Sequence, residues 1–332
     1  MKRILFYSSV KDKSLFHIQQ FYSIDIEILK NLGYEVFLTN NYIDFLILKY
    51  DIAFIYFYTR GVVPALISRV RMKKVFFTGG IDSLDEKHEN KRRHRMQTIL
   101  FKICRFLSTK CIIVSESDLH NIKKIFKNEL PSKLKLVFHG IKTNEFSCNF
   151  NNKRNDFVSI CWMHGVENVK RKGVDLSLHY FKYLSSFDEF KDSKYYIIGT
   201  EGEGSDYLKK IVCELDLPDR VVFTGSIDEH SKREYLKKSK YYFQLSLYEG
   251  FGVGALEALA ASCIVIHSGK GGLKEIIKDD GILLNTSGID LDIINKIKSF
   301  NINKLESALN RVKETYDFTI RMREIGILLS ES

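Results

Sequence analysis

The sequence predicts an α/β protein built of two Rossmann-like, doubly wound domains, and three observations carry that prediction. Short apolar runs rich in Ile, Val, Phe and Tyr stand at residues 2–7, 35–39, 52–58 and 74–78, separated by stretches with helical spacing. Such alternation implies a parallel sheet with helices on both faces. The same pattern restarts at residues 157–162. Finally, 332 residues is long for one domain and comfortable for two, and a 45% hydrophobic fraction supplies sizeable cores.

Composition narrows the function classes. A net charge of +10 and a pI near 9.1 suit phosphorylated ligands or an anionic bilayer surface. No nucleic-acid motif accompanies the charge, so nucleic acid is not an expected partner. The six cysteines are scattered without a CxxC pair, which suggests neither a zinc site nor a disulfide frame, and a reduced cytoplasm is expected. Residues 1–10 hold too short an apolar core for a signal peptide, and Lys49 and Asp51 interrupt the one region that approaches a membrane span. A soluble or peripheral protein is expected.

In the first half, Leu32-Gly33 is a helix stop that feeds a strand start. Residues 78–82, Thr-Gly-Gly-Ile-Asp, close a strand at its carboxyl end, where open α/β sheets place ligands. Asp82 there suits an acceptor contact, or alternatively a turn or helix cap. Residues 87–110 carry eight Lys or Arg against the single Glu89, with Met96, Ile99, Leu100, Ile103 and Leu107 at helical spacing. That is a helix with one apolar stripe, read either as lying on an anionic membrane surface or as packed on the sheet with a solvated basic face. His88 and His94 are six apart, a poor fit for one helix face, and are not expected as ligands. A strand at 110–115, a helix capped by Ser117 and running to Phe126, and a strand at 134–138 follow. The polar, Asn-rich residues 148–156 read as a linker, dividing the chain into 1–150, 151–312 and a closing segment 313–332 whose helix spans 315–329.

In the second half, residues 164–175 read as a loop delivering Lys170, Arg171 and Lys172 to a helix start. Gly199-Thr-Glu-Gly-Glu-Gly204 is a weak dinucleotide fingerprint, because its glycine spacing is wrong and two glutamates would repel a pyrophosphate. A strand at 221–225 ends at Gly225, and residues 229–238 form a polar helix. Asp290 and Asp292 read as charge at a helix start, and no metal is expected.

Residues 246–284 organise the chain. A strand at 241–247 runs into Glu249 and a turn containing Gly250, Gly252 and Gly254, and a helix starts at Val253. The amides of that first turn, with the helix dipole, favour a phosphate. Glu249 and Glu257, with seven residues between them, reach one cleft from different depths, and carboxylates suit sugar hydroxyls. A diphosphate between a ribose and a hexose fits that order of groups. The alternative is a surface loop beside a buried helix whose Glu pairs with a Lys.

Glu249-Gly250-Phe251-Gly252, the Glu/seven/Glu spacing, Gly271-Gly272-Leu-Lys-Glu275 and Gly281-Ile-Leu together resemble the donor half of the retaining GT-B glycosyltransferases of family 4, glycosyl transferases group 1. The resemblance implies two Rossmann-like domains facing each other across a cleft, with the last helix packing back on the first. It gives Glu249 the contact to the transferred sugar, and gives Gly250, Phe251, Gly252, Val253 and Gly254 the sugar and phosphate contacts through the backbone. Glu257 takes the ribose hydroxyls. Lys172-Gly173 matches the family's Lys-Gly, whose Lys binds the donor diphosphate. A companion Arg usually lies six residues before that Lys, where this chain has Val166, and Arg171 or Lys170 is expected to substitute. Gly225 lies at the turn that meets the base, and Gly79 or Gly80 stands where many relatives carry a His that touches the transferred sugar. Residues 139–146 resemble the interdomain turn, while Ser8-Ser9 replaces the family's glycine pair. The implied activity is transfer of a hexose, with retention, from a nucleotide-diphosphate sugar to a hydroxyl of a glycan or lipid-linked acceptor. A UDP-sugar is the expected donor, with no cofactor and no metal. The implied setting is bacterial surface polysaccharide synthesis, in the cytoplasm or peripherally on the inner face of the membrane. A noncatalytic GT-B partner subunit or scaffold is the alternative.

Overall fold

The structure is a computed structural model and describes residues 1–81, 84, 91–127 and 131–331. Asp82, His88 and residues 87–90 of the basic stretch lie outside the described residues. The backbone forms two units, Met1–Ile141 with Thr315–Ser332, and Lys142–Glu314.

The first unit is a six-stranded parallel sheet of β1 (Arg3–Tyr7), β2 (Glu35–Thr39), β3 (Ile52–Tyr56), β4 (Lys74–Thr78), β5 (Lys110–Ile113) and β6 (Leu134–Leu136), in the order β2-β1-β3-β4-β5-β6. Side chains alternate across a strand, so a sheet covered on both faces needs apolar residues at every position. Ile4, Phe6, Ile52, Phe54 and Phe76 enter one core, under helices Gln20–Asn31 and Phe318–Ser330. Leu5, Tyr7, Ala53, Ile55 and Phe77 enter the other, under helices Val62–Val70, Lys91–Leu107 and Glu116–Ile125. The cap of the last of these is Ser115, whose hydroxyl accepts from the Asp118 N–H at 3.0 Å, and not Ser117.

The second unit holds β7 (Arg154–Ile160), β8 (Tyr195–Ile198), β9 (Val221–Gly225), β10 (Ser239–Gln244), β11 (Ile264–His267) and β12 (Ile282–Leu283), all parallel, in the order β12-β11-β10-β7-β8-β9. The chain winds outward from β7 to β9 and then restarts on the other side at β10. The order therefore reverses between β7 and β10, the place where doubly wound sheets bind ligands beyond their carboxyl ends.

Two expected boundaries move. The linker expected at 148–156 is already part of the second unit: Cys148 Sγ donates to Ala261 O at 3.1 Å and Glu145 pairs with Arg233 at 2.9 Å. Lys153 Nζ donates to the carbonyls of Leu236, Lys237 and Ser239. Its polar residues serve turns and caps, so the boundary falls at Ile141 and not at residue 150. The closing segment is likewise two helices, Asn303–Tyr316 and Phe318–Ser330, broken at an extended Asp317 whose side chain caps the second one. That second helix is anchored in the first unit, where Arg321 forks onto Asp25 at 2.6 and 2.8 Å, both side chains buried.

Candidate functional site

The loops after β7 and β10 build the site. Residues 166–172, expected as a loop, form the helix Val166–Lys172, and Lys170, Arg171 and Lys172 fill its last turn. Exposed carbonyls at a helix C-terminus attract cations, which favours helix over loop. Gly173 ends it in the left-handed region at φ 67°, and a Cβ there would sit 2.2 Å from Leu245 O. No other residue fits that position. The main chains are joined here, because Leu247 N–H donates to Arg171 O at 2.8 Å. This contact draws residues 245–247 out of the sheet, so β10 ends at Gln244 and not at Leu247.

Glu249 follows on that loop, and Lys172 Nζ donates to both of its oxygens at 2.7 Å. The side chains are only 19% and 13% exposed, so the pair is largely shielded from water. A row of polar side chains at every second residue supports it. Tyr242 OH donates to Gln244 Oε1 at 2.8 Å, and Gln244 Nε2 donates to Ser246 Oγ at 2.8 Å and to Glu249 Oε2 at 3.3 Å. Ser246 Oγ donates to Glu249 Oε2 at 3.1 Å. Burial pushes the Glu249 carboxyl up, but the Lys172 charge and hydrogen bonds, with Arg171 and Ser246, outweigh it and hold it below the usual range. Arg171 lies beside them, donating to Tyr248 O at 3.3 Å and to Asn168 Oδ1 at 3.0 Å.

The helix Val253–Ala260 begins four residues after Glu249, with Gly252 at its cap. Gly254 lies against the polar row, its missing Cβ 2.5 Å from Tyr242 OH. Helix geometry leaves the first-turn amides without intrahelical acceptors, and they point out of the carboxyl edge. Glu257, one turn deeper, is 1% exposed and receives Lys232 Nζ on Oε1 at 2.7 Å. Lys232 also pairs with Glu229 at 2.8 Å. Burial raises the Glu257 carboxyl to about 7 against the pull of Lys232. The buried Glu–Lys pairing that the sequence left open as an alternative is therefore present, beside the loop geometry expected of a donor site.

The structure thus gathers Lys172, Arg171, Glu249, Gly250, Phe251, Gly252, Val253, Gly254 and Glu257 around neighbouring strand ends. Gly225 closes β9, two strands from β7 in the sheet, where its carbonyl accepts from the Gly199 N–H at 3.1 Å. Gly80 follows β4 in the first unit. Asp290 is engaged by Lys296 at 2.6 Å, in keeping with a helix start. Sequence reasoning missed Tyr242, Gln244, Ser246 and Lys232. The first three were signalled by polar atoms at period two in an otherwise apolar strand. Lys232 carried no signal, since a Lys in a polar helix ordinarily faces water.

The fold has close counterparts. Anabaena HepE, solved in complex with UDP and glucose, superposes over all of both chains with a TM-score of 0.77 at 16% identity. Sucrose-phosphate synthase from Thermosynechococcus elongatus does so over 100% of this chain and 99% of its own, with a TM-score of 0.76 at 14% identity. The architecture is GT-B. The family model of glycosyl transferases group 1 matches residues 149–316, and the chain belongs to that family. An uncharacterized glycosyltransferase of Methanocaldococcus jannaschii is 31% identical over 52% of this chain and 45% of its own. A capsular polysaccharide biosynthesis glycosyltransferase of Staphylococcus aureus is 24% identical over 78% of this chain and 70% of its own. The chain spans less than half the length of the first of these curated relatives.

Proposed function

We propose that the protein is a retaining, metal-independent hexosyltransferase that uses a UDP-sugar and acts on a hydroxyl of a glycan or lipid-linked acceptor. The observation that carries this is the shielded Lys172–Glu249 pair, set at the order reversal of the second sheet beside a helix start. Lys172, Arg171 and the first-turn amides take the diphosphate, where fixed positive charge stabilises the departing group. Glu249 takes sugar hydroxyls. Lys232 engages Glu257 Oε1, and Oε2 is the oxygen assigned to the ribose.

In the transfer, the bond from the anomeric carbon to the phosphate oxygen breaks and a bond from the acceptor oxygen forms on the same face. The acceptor proton passes to the leaving phosphate oxygen. Neither glutamate serves as the base, because each already faces a lysine at 2.7 Å. Surface polysaccharide assembly is supported by the S. aureus capsular relative and by an O-antigen chain mannosyltransferase of Salmonella typhimurium, 24% identical over 71% of this chain. The place of work on this reading is the cytoplasm, peripherally on the inner face of the membrane.

The test is a panel of sugar nucleotides assayed for slow hydrolysis without acceptor, with and without a chelator. Release of UDP from one UDP-sugar, unchanged by the chelator, is expected. A chain that turns over none of the panel contradicts the proposal.

A further inference from the structure

We propose that the outer face of helices Val62–Val70 and Lys91–Leu107 is a docking surface for an anionic lipid bilayer. The proposal stands on surface chemistry alone and goes beyond the reaction assigned above.

Each helix is apolar on two sides. Ala65 and Ser68 of one, and Phe101 and Cys104 of the other, face the core. On the opposite sides Val63, Leu66 and Val70 are 49, 52 and 77% exposed, and Met96, Ile99, Ile103 and Phe106 are 52, 52, 39 and 74% exposed. Steps of three and four residues make each set a single stripe. The two helices pack side by side, and the short helix Asp44–Ile47 packs on the far side of the first, with Leu46 and Ile47 exposed. One exposed apolar side chain needs no explanation, but stripes on adjacent helices mark an interaction surface.

Charge selects the occupant. Residues 52–81 and 91–115 carry five and seven Lys or Arg and no Asp or Glu. A second copy of this face would bring like charges together, and no nucleic-acid motif accompanies the basic residues. Lys91, Arg92 and Arg95 line a depression whose other walls are Met96, Ile99 and Leu100. Cations beside apolar walls match a phosphate headgroup above its acyl chains.

Geometry gives the contact a purpose. The helix Lys91–Leu107 returns from the end of β4 to the start of β5. Its 17 residues span about 25 Å, against about 17 Å for a strand of the length of β4. Its first turns, with the basic depression, form the end that follows β4, on the side of the carboxyl edge where open α/β sheets place ligands.

The experiment is cosedimentation of the full chain with phosphatidylcholine vesicles and with vesicles containing phosphatidylglycerol, without donor or acceptor. Binding at least about tenfold stronger to the anionic vesicles, and weakened by salt, is expected. Two double variants, Ile99→Ser with Phe106→Ser and Arg92→Glu with Arg95→Glu, are each expected to lose at least about tenfold while melting as wild type. Glycerol phosphate is expected not to compete, which separates a lipid surface from a free phosphate site. Equal binding to both vesicle types, no binding to either, or variants that bind as wild type would overturn the proposal. So would variants that alter only the oligomeric state in solution. Because no nucleotide is present, the outcome is independent of the sugar-nucleotide hydrolysis assay.

Discussion

At the scale of single residues, the two glutamates are held differently and so have different consequences. Glu249 sits in a loop on Lys172 and a row of polar side chains, with 13% of its side chain exposed, so it is available to a ligand. Changing Glu249→Gln keeps its shape but removes the charge that the proposed function assigns to the sugar. It is expected to lower kcat by roughly 100-fold or more, with little change in the donor KM, because the lost contact acts in the transition state. Glu257→Ala is expected to raise the donor KM instead, as measured in the same assay. His267 is a residue of another kind. It is buried at the end of β11, and neither ring nitrogen has a hydrogen-bond partner among the described residues. Burial pushes its imidazole down to about 4, against about 6.5 when unfolded. Between those values the unfolded chain binds more protons, so stability is complete above about pH 6.5 and falls as the pH drops towards 4. Replacing His267→Leu is expected to remove about 2 kcal/mol of that acid-side loss, read from denaturation midpoints at pH 7 and pH 4.5. A wild-type pH profile in the variant contradicts the assignment.

At the scale of elements, the buried pair of Lys232 and Glu257, with the half-exposed Glu229 beside it, fixes the helix Glu229–Lys238 to the helix Val253–Ala260. Lys232→Met strands Glu257 in a buried site. It is expected to cost about 3–5 kcal/mol by chemical denaturation, and much of that is expected to return when Glu257→Leu is added. Wild-type stability in the single variant contradicts this account. The same elements show what the sequence made legible. The strands of the first sheet, and β7, β9 and β10 of the second, were readable as apolar runs, because burial on both faces leaves little room for polar residues, whereas β12, two residues long, was not. Glu249, the glycine turn and the helix start were readable because they fall in one contiguous stretch. The helix Val166–Lys172 was not, since three consecutive cations look like a solvated loop until the helix end that attracts them is known. The end of β10 was not readable either, because its last expected residues are pulled away by a hydrogen bond to Arg171, seventy-six residues earlier in sequence.

At the scale of the whole molecule, the chain leaves its first unit at Ile141 and returns at Thr315. The return is fixed by Arg321, whose guanidinium also donates to Val137 O and Phe138 O at 3.0 and 2.7 Å. Tyr56 OH adds a 2.6 Å hydrogen bond to Asp25. Sequence patterning carried no sign of this pair, which joins residues 296 positions apart. Arg321→Met leaves Asp25 buried and unpaired and is expected to destabilise the first unit by about 3–5 kcal/mol, seen as a lowered unfolding midpoint. An unchanged midpoint contradicts that role.

The central claim is that the loops after β7 and β10 hold a nucleotide-sugar by its diphosphate. Isothermal titration of UDP into the wild-type chain and into Lys172→Ala tests it most directly. Saturable binding by the wild type, weakened about tenfold or more in the variant, is the predicted result. Absence of affinity for UDP or any other nucleoside diphosphate, or equal affinity in the two proteins, would contradict it.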